Sequence, residues 1–560
     1  MSEVKVTVPN TTGPTPMPWG WARAKRHWID IWNPTEGWYI NESGERVYGP
    51  VTRPPIVNPF KVAAMLTGKQ WIFFLVGLWA WTMDGYDFHA GSLSITNLSA
   101  YFHQSRDTIT ESITLTLLFR TIGAAVFGIA GDMYGRKWPM VINLIIIAAL
   151  QIGTVYARNW HEFLAVRSLF GVGMGGIWGL SASMSLENMP VEARGLFSGI
   201  LQQGYALGYI IAAIFNLYVV PNSHFGWKAL FYIGAALTGF VALLRCFFPE
   251  SRIYLENKAK RNGEKVAVSK KIRAFSKEGG AMLKVYWRRA VYASFMMAAF
   301  NFSSHGSQDM YATYMEVGKG FSKKQSTKAA LIGKVGCVVG GTICGYLSQF
   351  YGRRATIIVV SCVGACLIPL WVLPESWGAL TAGAFLLQFC VQGAWGVVPI
   401  HLSELSPPQF RATFPGITYQ IGNMISSPAA QLLSTMAERY PKVYKGVLRP
   451  DYAGAQSYFM TVIFIWLAIW LAIGHEEIGS RFENVARAGH DAFDAEKPGA
   501  DSAERGEGVG SGSGGGGRYS SDTDEKTRPA AGDRSSIAKD DVEGEVEMRE
   551  YVGGGGASKA

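Results

Sequence analysis

Charged residues are scarce in this sequence: Asp, Glu, Lys and Arg make up only 17% of its 560 residues, against 49% apolar residues. The charges avoid a series of apolar stretches of about 20 residues, the length with which an α-helix crosses a bilayer core. A chain of this length would otherwise predict two or more soluble domains. The long uncharged stretches exclude that organisation for most of the chain and predict a membrane protein.

Cysteine is also rare, and its spacing excludes two kinds of site. All six cysteines lie in or beside predicted membrane spans, and none has the Cys-x-x-Cys spacing with histidines that binds zinc. We therefore expect neither a disulfide framework nor a bound metal. The sequence also lacks a nucleophile elbow and a phosphate-binding loop. These absences predict a protein that is not an enzyme and has no cofactor.

Twelve apolar segments are long enough to cross a membrane. The first begins only near Gln70, so we expect no cleavable signal peptide. Only helices or closed barrels satisfy the whole backbone in lipid, and these lengths suit helices. The predicted fold class is therefore an all-α membrane protein with twelve transmembrane helices. We number the spans 1 to 12, and they cover 70–92, 112–132, 138–157, 161–184, 196–219, 227–248, 290–314, 327–350, 355–373, 379–402, 412–435 and 456–474.

The distribution of basic residues predicts the orientation. The net charge is +10, and twelve Lys and Arg residues are concentrated in the segment 250–289. A cytoplasmic face beside anionic lipid explains this excess better than nucleic-acid binding does. By the positive-inside rule, both termini are cytoplasmic. The chain is predicted to begin with a mostly irregular cytoplasmic tail (1–69), followed by a six-helix half (70–249) and a basic cytoplasmic loop (250–289). A second six-helix half (290–475) and a disordered cytoplasmic tail (476–560) complete it.

An internal repeat relates the two halves. The stretch 128–137 (GIAGDMYGRK) resembles 345–354 (GYLSQFYGRR), an offset of 217 residues. The same offset aligns Glu187 with Glu404 and Arg194 with Arg411 in a second loop. One offset that holds in two separate loops indicates duplication of a six-helix half. An alternative role for the loop arginines is that they only set the orientation of the chain.

The chain has six spans on each side of a basic central segment, and the motif Gly-x-x-x-Asp-x-x-Gly-Arg-Lys follows span 2. In these features it resembles the major facilitator superfamily over residues 70–475. The resemblance implies alternating access and contacts that latch the cytoplasmic gate in one state. Gln349 stands where the first copy of the motif has an acid, so a weaker latch is expected there. The residues assigned to this gate are Asp132, Arg136, Glu187, Arg194, Arg353, Glu404 and Arg411.

A polar stretch interrupts span 7. Asn301, His305 and Asp309 recur at intervals of four residues, with Ser304 and Gln308 between them, so a helix presents them on one face. Ionisable groups inside a membrane are costly and usually face a water-filled cavity or a partner. We interpret this face as part of a binding site. The alternative is that these groups only join helices.

Span 1 supplies two acids to the same region. Asp84 and Asp87 are the repeat mates of Asn301 and Ser304 at the offset of 217. Transporter sites form at the interface between repeats, near the middle of the membrane. We therefore expect these acids to approach the polar face of span 7.

Arg120 in span 2 is the most informative single charge. Its planar guanidinium donates two parallel hydrogen bonds to a carboxylate. The alternative is a structural ion pair with Asp84 or Asp87. Span 11 adds Gln420 and Asn423, whose amides can hydrogen-bond to carboxylate or hydroxyl oxygens of a substrate. The alternative is that these two residues only join helices.

The motif Asn-x-x-Ser-His-x-Ser-Gln-Asp-x-x-x-Thr in span 7 resembles that of fungal lactate permeases, the JEN-type carboxylate group of the sialate:proton symporter family. This resemblance implies proton-coupled uptake of short mono- or dicarboxylates across the fungal plasma membrane. The residues predicted to bind substrate are Arg120, Asn301, Ser304, Gln308, Gln420 and Asn423. The residues predicted to couple protons are Asp84, Asp87, His305 and Asp309.

The predicted partners are a small carboxylate, protons and the lipid bilayer, with no nucleic acid. Trafficking or ubiquitin machinery is a further predicted partner of the C-terminal tail. Two alternative functions stay open. One is a symporter of another organic anion, such as sialate or an aromatic acid. The other is a carboxylate sensor that binds without transporting, with which the long C-terminal tail is compatible.

Overall fold

The computed structural model describes residues 28–29, 31–32, 36–40, 46–50, 56–250, 268–407, 410–444, 446–474 and 476. Twelve long helical segments follow one another in the order of the predicted spans. Spans 1 to 6 are Gly68–Leu93, Arg106–Tyr134, Lys137–Tyr156, Trp160–Gly175 with Ile177–Glu187, Arg194–Gln202 with Gly204–Tyr218, and Lys228–Phe247. Spans 7 to 12 are Val268–Gln308, Lys323–Tyr351, Arg353–Val372, Trp377–Leu405, Thr413–Ser426 with Ala429–Arg439, and Tyr452–Ile473.

Three of the spans that carry predicted site residues are not apolar helices of spanning length. Within the described ranges, nine helices are long and apolar enough to cross a membrane by length and composition. Spans 1, 7 and 11 are not among these nine. They hold the acids of span 1, the polar face of span 7 and the two amides of span 11.

Shorter elements refine the predicted organisation. Within the tail predicted as irregular, β1 (Glu36–Ile40) pairs antiparallel with β2 (Arg46–Pro50), and the helix Pro59–Ala64 precedes span 1. A second hairpin, β3 (Lys442–Tyr444) and β4 (Val447–Arg449), lies between spans 11 and 12.

The central basic segment also differs in part from the prediction. The helix of span 7 begins at Val268, so the second part of the segment 250–289 is helical and continuous with the span. Residues 251–267 lie outside the described part of the chain. So does the predicted C-terminal tail, except for Glu476.

Local sequence signals set several helix ends. Thr67 and Ser322 each form a capping box with a glutamine three residues later, at the starts of spans 1 and 8. Gly135 and Gly352 follow spans 2 and 8, and both have a φ of 97°. That region of φ favours glycine. The two copies of the repeated motif therefore turn in the same way.

The two halves meet along two equivalent pairs of helices. Span 2 packs on span 11, and span 5 packs on span 8. At the second contact, a Cβ on Gly199 would lie only 2.4 Å from the carbonyl oxygen of Gly341. Small residues allow helices to approach this closely in a membrane.

Candidate functional site

A cavity lies between the two halves. The centre of a water molecule can occupy only about 30 Å³ of it, so the cavity is narrow. Spans 2, 5, 7, 10 and 11 supply its wall. The residues that line it are Leu117, Arg120, Gln202, Tyr205, Asn301, Ser304, His305, Gln308, Gln392, Trp395, Tyr419 and Asn423.

Arg120 reaches this cavity as one member of a buried ion pair. Its Nη2 donates to Oδ2 of Asp84 at 2.6 Å, and the two residues are only 1% and 2% exposed. The structure thus contains the ion pair that was the alternative explanation of Arg120. Arg120 itself lines the cavity, and Asp84 is its buried partner. Nε of Arg120 and Oδ1 of Asp84 are buried without a hydrogen-bond partner. The pair therefore retains polar groups that are not satisfied.

Asp87 lies away from the cavity. Its carboxylate accepts from Oγ1 of Thr238 at 2.8 Å and from Nε2 of Gln151 at 2.9 Å, and the residue is fully buried. These contacts tie span 1 to spans 3 and 6 within the first half. The structure brings Asp84, but not Asp87, to the predicted site.

The polar face of span 7 is largely where the sequence predicts it. Asn301, Ser304, His305 and Gln308 line the cavity. The helix ends at Gln308, so Asp309 lies in the following turn. His305 Nδ1 lies 2.9 Å from Asp309 Oδ2, and the Asp309 side chain is 40% exposed. The face thus runs from a buried amide at Asn301 to a solvent-exposed acid.

Span 11 brings only one of its two predicted amides to the cavity. Asn423 lines the wall and donates from Nδ2 to Oε1 of Gln420 at 2.8 Å. Gln420 is fully buried behind Asn423. The backbone carbonyl oxygen of Gln420 accepts from Oγ1 of Thr121 in span 2 at 3.1 Å. Gln420 therefore links the halves and positions Asn423.

Aromatic residues complete the wall, and the sequence analysis missed them. Tyr205, Trp395 and Tyr419 line the cavity, and Tyr419 stacks on Trp178 with 4.7 Å between ring centroids. Trp178 and Trp395 are repeat mates at the offset of 217. That shared offset was the signal that could have revealed them.

A second buried basic residue was not predicted from the sequence. Lys334 of span 8 is only 6% exposed, and its Nζ donates to Oε1 of Gln308. The signal was a single lysine inside an apolar span, where a charge is costly and usually functional.

The first copy of the repeated motif joins the two halves. We call the bundle end that carries both copies the motif end. Asp132 accepts from the backbone N–H groups of Ala412 and Thr413 at 3.2 and 2.9 Å, at the start of span 11. Arg136 bridges Asp132 at 2.6 Å and Glu187 at 2.7 Å. Three of these five residues, Asp132, Arg136 and Glu187, belong to the predicted gate, and the structure brings them together.

The second copy makes the equivalent contacts with an amide in place of the acid. Gln349 accepts from the N–H of Gly195 at 3.2 Å, at the start of span 5, and from Arg353 at 2.9 Å. Arg353 also pairs with Glu404 at 3.2 Å. The weaker latch expected at Gln349 stays a prediction, although the neutral amide accepts fewer bonds across the halves than Asp132 does.

The motif end is sealed. Every described residue from 390 to 407 in span 10 is buried. Arg194 and Arg411 are also buried at this end, and Arg194 Nε donates to the carbonyl oxygen of Met189 at 3.1 Å. At the opposite end, the side chain of Asp309 is 40% exposed.

Comparison with known proteins assigns the family. Residues 71–431 match the family model described as Major Facilitator Superfamily. The chain belongs to the major facilitator superfamily. Its fold resembles that of the xylose transporter XylE from E. coli in a partially occluded inward open conformation, with a TM-score of 0.55, 16% identity, and coverage of 73% of this chain and 99% of the other. The twelve-helix fold predicted from the sequence is thereby confirmed.

Several curated relatives of this superfamily member carry the names of transporters. A carboxylic acid transporter protein homolog of Saccharomyces cerevisiae is 30% identical, over 75% of this chain and 70% of the relative. The cis,cis-muconate transport protein of Acinetobacter baylyi is 24% identical, over 65% and 87%. A putative niacin/nicotinamide transporter of Bacillus subtilis is 26% identical, over 64% and 87%. The family and these relatives confirm that the chain is a transporter rather than an enzyme.

Proposed function

We propose that this protein is a secondary active transporter that takes up short-chain mono- or dicarboxylates together with protons across the plasma membrane, by alternating access. The observation that carries the proposal is that Arg120, which lines a cavity between the halves, is paired with the buried acid Asp84. The yeast and bacterial relatives support it, because their names refer to carboxylic acids, muconate and niacin.

Proton coupling follows from the charge balance of this pair. A substrate carboxylate that binds the guanidinium of Arg120 displaces Asp84 and leaves it as a buried anion. Removing one partner of a buried ion pair costs about 3–5 kcal/mol. A proton on Asp84 removes that uncompensated charge, so the anion and the proton bind together.

The membrane potential gives the same requirement. Carrying an anion alone into a negative-inside cell costs about 2.3 kcal/mol per charge per 100 mV. A co-transported proton cancels the charge of a monocarboxylate. His305 and Asp309 lie hydrogen-bonded at the solvent-exposed end of the polar face, where they can pass that proton inward.

Alternating access requires that the sealed end opens once substrate is bound. By the positive-inside rule we take the motif end as cytoplasmic. Asp132, Arg136 and Gln349 then hold the cytoplasmic gate closed while the carboxylate enters from outside. Rocking of the halves breaks these contacts and opens the same site inward.

The test is uptake of labelled lactate and succinate by cells that lack their own carboxylate carriers, at mildly acidic external pH. Wild type is compared with Arg120→Lys at matched surface expression. Lysine keeps the charge but cannot offer a planar fork, so uptake is lost. Saturable wild-type uptake collapses when a protonophore is added. Uptake that the lysine leaves unchanged would contradict the role of Arg120.

The aromatic wall favours one further candidate, a carrier of a larger organic anion. Tyr205, Trp395 and Tyr419 line the cavity, and muconate and niacin appear in the names of relatives. Competition of aromatic acids against labelled lactate separates this candidate from the short-chain carrier. A carboxylate sensor would show no counterflow in liposomes.

A further inference from the structure

Lys334 is a buried basic residue that has no role in the transport cycle proposed above. It lies in span 8 and is only 6% exposed. Its Nζ donates to Oε1 of Gln308 in the second half and lies 4.8 Å from the ring centroid of Tyr209 in the first half. The ammonium therefore sits between the two halves, one hydrogen bond behind a residue of the cavity wall.

Lys334 lacks an anionic partner. Among the described residues, no carboxylate forms an ion pair with its Nζ, and its hydrogen-bond acceptor is a neutral amide. A buried charge is costly unless it is paired. Asp309, the acid that directly follows the helix of span 7, is hydrogen-bonded to His305. An anion is thus the group that this position is missing.

Arg120 differs in this respect. Its charge is balanced by Asp84 at 2.6 Å. The repeat relates the two cations, because the mate of Arg120 at the offset of 217 is Cys337, one helical turn from Lys334. Each half thus directs one cation toward the interface near the same depth, and only one of the two has an internal counter-ion.

We propose that Lys334 binds the second carboxylate of a dicarboxylate whose first carboxylate is held by Arg120, so that dicarboxylates are the preferred substrates. This inference rests on the proposed function and names the substrate class of the same site. A dianion supplies the partner that Lys334 lacks and connects the two halves through one molecule. A monocarboxylate reaches Arg120 but leaves Lys334 unpaired.

Gln308 is the residue that this binding mode rearranges. It lines the cavity, accepts from Lys334 and donates from Nε2 to Oε1 of Gln388 at 3.0 Å. When the second carboxylate takes the ammonium, Gln308 gives up that one bond and keeps its contact with Gln388. The substrate then replaces a neutral acceptor with a charged one, so the Lys334 ammonium gains an ion pair in place of a hydrogen bond to an amide.

The experiment compares the KM for labelled succinate and for labelled lactate in the full-length chain, in cells lacking their own carboxylate carriers. The variant is Lys334→Met, which keeps the unbranched apolar stem and removes the charge. We expect the ratio of the succinate KM to the lactate KM to rise about 10- to 100-fold, the effect of one lost hydrogen bond to a charged group. Lys334→Arg keeps the charge and restores much of the succinate preference.

The control is Lys328→Met, which removes an exposed lysine from the same helix and leaves the ratio unchanged. Stabilisation of the purified full-length protein by succinate and by lactate gives a second readout that does not need transport. Equal losses for both acids in Lys334→Met would show a merely structural lysine and overturn the inference. Wild type that carries lactate but not succinate would overturn it as well, while the proposed function stands. Wild type that carries neither acid would overturn both.

Discussion

Two aspartates three residues apart in span 1 have opposite environments. Asp84 pairs with Arg120, which lines the cavity, whereas Asp87 accepts from Thr238 and Gln151 within the first half. The same residue type therefore serves two purposes, and spacing alone does not reveal which acid takes part in coupling. The helix rotation that separates them is set by the packing of span 1 on spans 5 and 6.

Replacing Asp87 with asparagine separates packing from coupling. The NH2 group of the new asparagine would face a hydrogen-bond donor from Thr238 or Gln151. One buried hydrogen bond is therefore lost, which lowers the free energy of unfolding by about 1–3 kcal/mol. We expect a lower unfolding temperature of the purified protein, while lactate uptake per folded molecule stays sensitive to a protonophore. Loss of that sensitivity in a folded Asp87→Asn protein would instead place Asp87 in the coupling mechanism.

Part of the site follows from residues alone. The spacing of Asn301, Ser304, His305 and Gln308 predicted a polar helix face, and that face lines the cavity. The aromatic residues and Lys334 did not follow, because aromatic residues and isolated charges in a span gain a function only from the helices that surround them. Gln420 was predicted to bind substrate, but it lies behind Asn423 rather than on the cavity wall.

At the scale of helices, the contact between spans 5 and 8 controls the motif end. A side chain at Gly199 would collide with the Gly341 carbonyl, since a Cβ there lies 2.4 Å from the oxygen. The Gly199→Leu substitution therefore destabilises the sealed conformation relative to one that is open at the motif end.

Spin labels on the motif-end loops of the two halves measure this change. We expect a longer inter-label distance in Gly199→Leu than in wild type. Gly239→Leu in span 6 is the matched control, because a Cβ there meets nothing within 4 Å. An unchanged distance in a folded Gly199→Leu protein would show that this contact does not hold the end closed.

The helices themselves were predictable, whereas their breaks were not. Apolar stretches located all twelve spans, since bilayer thickness fixes how long a spanning helix must be. The interruptions after Gly175, Gln202 and Gln308 are absent from the predicted spans. They depend on contacts between helices, which sequence periodicity does not record. Broken helices near the site are common in transporters, where they expose backbone groups to substrate.

At the scale of the whole molecule, the repeat predicts the architecture. The offset of 217 residues placed two copies of a six-helix half, and the structure joins them through equivalent contacts at Asp132 and Gln349. The asymmetry between the halves is equally informative. Arg120 has an internal counter-ion, whereas no carboxylate in the described part of the chain forms an ion pair with Lys334, so the two halves contribute different chemistry near the cavity. Sequence could align the halves but could not state which polar residues meet across them.

In the proposed mechanism, the Arg120–Asp84 pair couples the binding of a substrate carboxylate to the binding of a proton. The most direct measurement uses purified protein in liposomes and compares wild type with Asp84→Asn, which mimics the protonated acid. Wild type accumulates labelled lactate against its gradient when a pH gradient is imposed and carries protons with it. Asp84→Asn retains lactate counterflow but loses accumulation and proton movement. Accumulation by Asp84→Asn that equals the wild type, or wild-type lactate transport without protons, would contradict the account.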